Sequence, residues 1–270
     1  MNLISQILQK KRDTSSFALI PFLTIGYPSI NTTVDLLFTL DKKGADIIEL
    51  GIPYSDALAD GYLIQNASKV ALQNGIYIDQ IIKVLNNVVN KVHAPIIIFT
   101  YYNPILVRGL SRFIKEISEA GVKGLVIPDL PIEEADYVLK LCVIHNLELI
   151  LFIAPTSSKD RIINILSKSQ GCVYLVSSTG VTGIREMIGN NLEIVSKYIR
   201  GTTNKFTMLG FGISSPLQVS KLLKSNANID AIVVGSAFTR IIADTSYKGN
   251  DFMIQEVGSF CERMKSSVII

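Results

Sequence analysis

Hydrophobic residues fall in short runs along this chain, separated by stretches in which they recur every three or four positions. The runs at 20–24, 45–50, 95–101, 124–127, 147–153, 172–177, 206–209 and 231–234 are mostly apolar on consecutive residues, not on alternate ones. Such runs predict strands buried on both faces, as in a parallel sheet. Several stop at a punctuating residue: Gly26, Pro128-Asp129, Ala154-Pro155, Gly210-Phe211-Gly212 and Gly235-Ser236. The intervening stretches predict amphipathic helices. Val34, Leu37 and Phe38 recur at helical spacing ahead of Gly44, and Asp79 is placed to cap a helix burying Ile82, Leu85 and Val89. Phe113, Ile117 and Ala120 share one face that ends at Gly121, and Ser215-Pro216 reads as an N-cap followed by proline at the first helical position.

This alternation, without a composition break or linker, predicts an α/β chain folded as a (β/α)8 TIM barrel, one domain over residues 1–270 with a short N-terminal helix over 1–12. A doubly wound open sheet is the alternative, which periodicity does not separate from the barrel. With 270 residues, 48% of them hydrophobic, the chain is long enough for one large core.

Charge excludes more than it suggests. The formal net charge is only +3, and no dense Lys/Arg run with interleaved aromatics is present, which argues against nucleic acid. Lys10, Lys11 and Arg12 form the one tight basic cluster and read as a solvated helix end. The cysteines, Cys142, Cys172 and Cys261, are far apart, no C-x-x-C occurs, and His93 and His145 are the only histidines. A Cys/His zinc site is not expected, and an odd number of thiols suits a reducing compartment. Cys172 opens a strand and reads as a core thiol; the histidines read as solvated loop residues. No run approaches the ~20 apolar residues of a membrane span, and the N-terminal helix does not read as a signal peptide. The chain is expected to be soluble, with no membrane partner. Its taste for Ile, Asn and Lys hints at an AT-rich genome, bacterial or plastid.

Candidate chemistry concentrates where the runs end. Glu49 lies near the end of an apolar strand, and the loop after it carries Asp56 and Asp60 before Gly61. Burying a carboxylate costs several kcal/mol unless it is paired or protonated. An acid at a strand's C-terminal end beside a loop can therefore serve as a tuned proton donor or acceptor, although a buried ion pair would explain Glu49 as well, and turn chemistry alone would explain Asp60. In a barrel the site lies at the C-terminal ends of the strands. That mouth would gather Phe22 and Thr24, Glu49 and Asp60, Tyr101 and Asn103, Tyr174 and Ser177, and Phe211. The glycine-bounded stretches Gly210-Phe211-Gly212-Ile213-Ser214 and Gly235-Ser236-Ala237 follow the last two strands, where this fold commonly holds phosphate. The long, glycine-punctuated stretch 178–189 is a candidate lid, or a surface loop.

The segment from Glu49 to Gly61 resembles the signature of the tryptophan synthase alpha chain: Glu, Gly, aromatic-Ser-Asp, then Ala-Asp-Gly in order. Further agreement runs through the length of the chain, in Pro21-Phe22-Leu23-Thr24-Ile25-Gly26-Tyr27-Pro28, Tyr101-Tyr102-Asn103-Pro104, Pro128-Asp129-Leu130-Pro131, Ala154-Pro155-Thr156, Gly180-Val181-Thr182-Gly183, Gly210-Phe211-Gly212-Ile213-Ser214 and Val234-Gly235-Ser236-Ala237. The resemblance implies a lyase that cleaves indole-3-glycerol phosphate to indole and glyceraldehyde 3-phosphate, with no cofactor in this chain. It implies a β-chain partner in an α2β2 heterotetramer, carrying pyridoxal phosphate and joining the indole to serine. The compartment would be bacterial cytoplasm, or plastid stroma for a plastid-encoded chain.

Carried onto this sequence, the resemblance implies that Glu49 protonates indole C3 and takes a proton from the glycerol hydroxyl. Asp60 would accept the indole N–H, with Thr182 orienting it. Phe22, Phe99, Ile153, Tyr174 and Phe211 would form the indole slot, and Tyr101 would also contact the substrate; Gly183, Gly212, Gly235 and Ser236 would hold the phosphate. There are departures. Ala57 stands where Pro is frequent in the family, and Tyr62 and Leu63 stand where Pro and a smaller residue are frequent. They are expected to loosen the Asp60 loop or alter its contact with a β chain. Two rivals remain. An indole-glycerol-phosphate synthase-like barrel would need a lysine at a strand end, which the predicted strands lack. A purely activating partner would have no use for both Glu49 and Asp60.

Overall fold

The computed structural model describes residues 2–176, 190–210 and 212–269. The strands are β1 (Ala18–Thr24), β2 (Ile48–Gly51), β3 (Ile96–Phe99), β4 (Gly124–Val126), β5 (Glu148–Ile153), β6 (Cys172–Val176), β7 (Phe206–Gly210) and β8 (Ala231–Val234), all parallel, closed in the order β1 to β8 and back to β1. The helices are α1 (Leu3–Asp13), α2 (Ile30–Lys42), α3 (Tyr62–Gln73), α4 (Ile78–Val88), α5 (Tyr102–Arg108), α6 (Leu110–Glu119), α7 (Ala135–Ile144), α8 (Lys159–Lys168), α9 (Asn190–Thr202), α10 (Pro216–Leu223), α11 (Ser236–Thr245) and α12 (Asn250–Ser267). This is a TIM barrel, and the open-sheet alternative falls with the pairing of β1 to β8.

The consecutive apolar runs serve two layers. Leu19, Leu23, Ile48, Leu50, Ile96 and Ile98 face outward and pack with the surrounding helices. Ala18, Ile20, Phe22, Ile47, Ile97, Phe99, Val126 and Ile150 form the inner cluster. Strand side chains alternate between faces, so each run had to be apolar throughout.

Several local expectations are corrected. β2 begins at Ile48, not at residue 45, and β3 ends at Phe99, because Tyr101 already caps α5. The cap of α4 is Tyr77, whose N–H donates to Gln80 Oε1 at 3.2 Å, and Asp79 sits in the first turn. That helix buries Ile81, Val84, Leu85 and Val88. On α2 the buried stripe is Thr33, Leu36, Leu37 and Leu40, and Phe38 is exposed. Ser215 does cap α10, with Pro216 at its first position.

The basic end of α1 is not simply solvated. Helix α1 closes the bottom of the barrel, burying Ile4 and Leu8 in the inner cluster. Arg12 donates to Asp230 through Nε at 2.8 Å and Nη2 at 2.9 Å, and its guanidinium lies 4.1 Å from the centre of the Phe206 ring. Lys11 pairs with Asp46 at 2.9 Å. At the other end of α1, Asn2 accepts from Ser5 N–H as N-cap and donates to the buried Glu148. His93 is exposed, with Nδ1 3.0 Å from Asp41. All three cysteines are buried free thiols. Among the described residues no helix is long and apolar enough to cross a membrane.

Candidate active site

Glu49 of β2 points inward, as does Ile47 just ahead of the strand, while Ile48 and Leu50 point outward. Its register partner on β1 is Phe22, and on β3 it is Ile97. The side chain is 1% exposed, and neither carboxyl oxygen has a hydrogen-bond partner among the described residues. Among the described residues Thr24 Oγ1 is the only other buried side-chain oxygen or nitrogen in that condition. Burial is the main cause that pushes the Glu49 carboxyl up to about 8, with the charge of Asp60 adding to it. At neutral pH Glu49 therefore holds its proton.

Asp60 comes from the loop between β2 and α3 and is 5% exposed. Tyr101 fixes it: the phenol donates to Asp60 Oδ2 at 3.0 Å and accepts the Ala59 N–H at 3.0 Å. Gln65 of α3 closes the loop from the other side, donating to the carbonyls of Ala57 at 3.1 Å and Asp60 at 3.0 Å. These bonds pin the loop although Ala57 lacks the rigidity of a proline. Burial raises the Asp60 carboxyl to about 6, and the Tyr101 hydrogen bond works in the opposite direction. The two carboxyls are thus set apart, one protonated and one ionised near neutrality. Two carboxyls divided in this way are chemically able to act as a proton donor and an acceptor.

Aromatic rings wall the site. Phe22 meets Phe99 edge to face at 5.8 Å, and Phe99 meets Tyr101 in the same way at 6.1 Å. Gly51 makes room for the first ring, since a β-carbon there would lie 2.5 Å from Phe22 Cζ. Tyr174 tilts against Phe152 at 4.7 Å, and its phenol lies over Gly210, where a β-carbon would sit 2.1 Å from the hydroxyl oxygen. Burial pushes the Tyr174 phenol well above its ordinary value. Gly235 precedes α11 and Ser236 opens it; no side chain caps that helix. Gly212 follows β7 with φ +78°.

Ile153 departs from its expected place. It packs in the outer layer between strands and helices, and its neighbour Phe152 faces inward against Tyr174. The unbroken apolar run of β5 hides which parity faces the barrel. Thr182, Gly183, Phe211 and Ser177 lie outside the described residues, as does the candidate lid. Sequence reasoning also missed Tyr54 and Gln65. Tyr54 lies 5.2 Å from the Tyr101 ring and accepts from Asn103 Nδ2 at 3.3 Å. Its place inside the Glu49–Gly61 segment was the available signal.

A closed eight-stranded parallel barrel with these carboxyls gathered at the C-terminal strand ends belongs to the TIM-barrel enzymes. Sequence comparison narrows the class. The profile of the family described as "Tryptophan synthase alpha chain" matches residues 8–269. The tryptophan synthase alpha chain of Gracilaria tenuistipitata var. liui is 55% identical over 269 residues, covering 99% of this chain and 97% of that one. That of Synechocystis sp. is 46% identical over 269 residues, covering 99% and 100%. Among solved structures, tryptophan synthase from Mycobacterium tuberculosis superposes with TM-score 0.89 at 27% identity, covering 100% of this chain and 99% of that chain. The alpha subunit from Legionella pneumophila gives TM-score 0.88 at 30% identity, with 99% and 98% covered. The chain belongs to the tryptophan synthase alpha chain family. It is a lyase of tryptophan biosynthesis that cleaves indole-3-glycerol phosphate, and the family needs no cofactor in this chain, pyridoxal phosphate belonging to the β chain.

Proposed function

We propose that Glu49 and Asp60 carry the cleavage as a proton-transfer pair. Indole leaves poorly as a carbanion, so C3 must be protonated before the bond to the glycerol carbon breaks. Glu49, neutral near pH 7, gives that proton and then accepts one from the glycerol hydroxyl as the carbonyl forms. The atoms balance: the C–C bond is replaced by C3–H on indole and C=O on glyceraldehyde 3-phosphate, and Glu49 ends protonated again. Protonation leaves positive charge on the indole ring, and ionised Asp60, aimed by Tyr101, accepts the ring N–H and stabilises that charge. Phe22, Phe99, Tyr101 and Tyr174 form the indole slot. Gly212, Gly235 and Ser236 offer backbone N–H groups to the phosphate, with the uncapped start of α11 favouring an anion. The family resemblance adds Thr182, Gly183 and Phe211 to the proposed substrate-binding residues.

The partner is a β chain in an α2β2 assembly. Leu58 and Tyr62, on either side of Asp60, are strongly exposed apolar residues, as is Val107 on α5 after β3, and we assign these residues to the β-chain contact. The departures at Tyr62 and Leu63 therefore bear on coupling, not on chemistry. Red algal and cyanobacterial relatives support a plastid stroma or bacterial cytoplasm as the compartment.

The observation that carries the acid–base assignment is the unpartnered carboxyl of Glu49, held protonated by burial at the strand end. Its test is indole release from indole-3-glycerol phosphate by the purified chain, alone and with a β chain. The native chain should be slow alone and rise sharply with the partner, whereas Glu49→Gln should bind the β chain but release indole about 10²–10⁴-fold more slowly. Native rates from that variant would overturn the assignment.

A further inference from the structure

The phosphate and the acid proposed above stand on strands that are not neighbours. Gly235 and Ser236 follow β8, and Glu49 lies on β2. The strand between them is β1, paired to β8 through Pro21↔Val234 and to β2 through Phe22↔Glu49. A substrate whose phosphate sits at one and whose reacting carbon sits at the other must lay its glycerol chain across the end of β1. That chain carries two hydroxyl groups.

Strand β1 offers one polar side chain, Thr24, at its C-terminal end. Ala18, Ile20 and Phe22 face the barrel interior while Leu19 and Leu23 face the helices, so alternation turns Thr24 inward, one step above Phe22. Its register partner on β2 is Gly51, which contributes no side chain at that level. Thr24 is 4% exposed, and its hydroxyl has no hydrogen-bond partner among the described residues. Buried hydroxyls are ordinarily paired, and an unpaired one is costly to keep. The unpaired buried side-chain oxygens among the described residues are the two of Glu49 and this one, on adjacent strands at the same end of the barrel.

We propose that the Thr24 hydroxyl is a substrate-binding group that hydrogen-bonds the glycerol hydroxyls of indole-3-glycerol phosphate and holds the chain in line between phosphate and acid. The proposal rests on the acid and phosphate assignments above. It gives Thr24 a role that its β1 neighbours cannot fill, since every other β1 side chain is apolar.

The test compares Thr24→Val, a near-isostere without the hydroxyl, with Thr24→Ser, which keeps it, in the full chain with a β chain added. Removing a hydrogen bond of this kind should lower kcat/KM for indole-3-glycerol phosphate roughly ten- to a hundredfold in Thr24→Val. Thr24→Ser should stay within a few fold of the native chain. Affinity for 3-indolylpropyl phosphate, which lacks both hydroxyls, should be the same in all three. Thermal unfolding of Thr24→Val should be unchanged or shifted upward, because an unpaired buried hydroxyl has been removed. Should Thr24→Val not fold, Thr24→Ala carries the same expectation for cleavage and for the analogue. Native cleavage by Thr24→Val beside an inactive Glu49→Gln overturns the Thr24 role alone. An equal loss of affinity for the propyl analogue also overturns it, since shape would then be the cause. Full cleavage by Glu49→Gln removes the acid assignment and this proposal with it.

Discussion

The two ends of the barrel use the same side chains to opposite ends. At the floor, Asp230 is as buried as Glu49 at the mouth, each 1% exposed. Asp230 accepts from Arg12, from Arg200 at 2.8 Å and from the Thr207 N–H at 2.8 Å. Asp46 likewise accepts the Leu19 N–H at 2.9 Å and pairs with Lys11 and Lys265. Glu49 accepts nothing from the described residues. A carboxyl that is buried and fully paired fastens helix α1 and the strand starts together. A carboxyl that is buried and unpaired stores an unmet demand for a partner, which a substrate can meet. Bonding, not burial, separates the structural acids of the floor from Glu49, while Asp60 holds a single hydrogen bond, from Tyr101.

The comparison can be broken by exchanging consequences between the ends. The largest expected effect is on activity at the mouth: Glu49→Gln should cost about 10²–10⁴-fold in indole release while the fold survives. Its stability should respond to pH with a definite sign. The folded pKa of Glu49 is raised from 4.5 to about 8, so its contribution is fully present below about pH 4.5 and is lost as pH rises to about 8. Glu49→Gln should therefore gain in melting temperature over the native chain as pH rises from 5 to 8. A constant gap across that range would contradict the raised value.

At the floor the balance reverses. Asp230→Ala strands Arg12 and Arg200 beside a buried backbone N–H and should lower unfolding free energy by about 3–5 kcal/mol, measured in urea, with the catalytic constants of the surviving folded protein little changed. A smaller effect is expected at Gly210→Ala. The added carbon must displace the Tyr174 ring, costing about 1–3 kcal/mol and raising KM, which paired denaturation and steady-state measurements would show. Smallest is Tyr101→Phe. Losing the bond that lowers the Asp60 pKa should move the acid limb of the kcat/KM profile, expected near pH 6, to higher pH. No movement of that limb would mean Asp60 does not set it.

The mouth was more legible in sequence than the floor. Glu49, Asp60 and the aromatics sit at strand ends marked by Gly and Pro, so local sequence alone places them together once a barrel is assumed. The floor is built from residues far apart in the chain: Arg12 meets Asp230 across 218 positions and Asn2 meets Glu148 across 146. Nothing local to Lys10-Lys11-Arg12 signals those partners, and a solvated helix end was the natural reading. Parity was hidden for another reason. In the run 147–153 almost every residue is apolar, so Ile153 and Phe152 could not be assigned to layers until the strand was seen in register. The eight strands themselves were legible because burial on both faces leaves an unbroken apolar mark, whereas the cap of α4 was not, because Tyr77 is an uncommon residue for that position.

The central claim is that Glu49 is a proton-bearing acid at neutral pH. Carbon-13 NMR of the chain labelled at glutamate side-chain carboxyls, with Glu49→Gln to assign the signal, measures this directly. The account predicts a midpoint near 8 for that carboxyl, far above the other glutamates. A midpoint near the ordinary 4.5 would mean that Glu49 is ionised at neutral pH, and the proton for indole C3 would have to come from elsewhere.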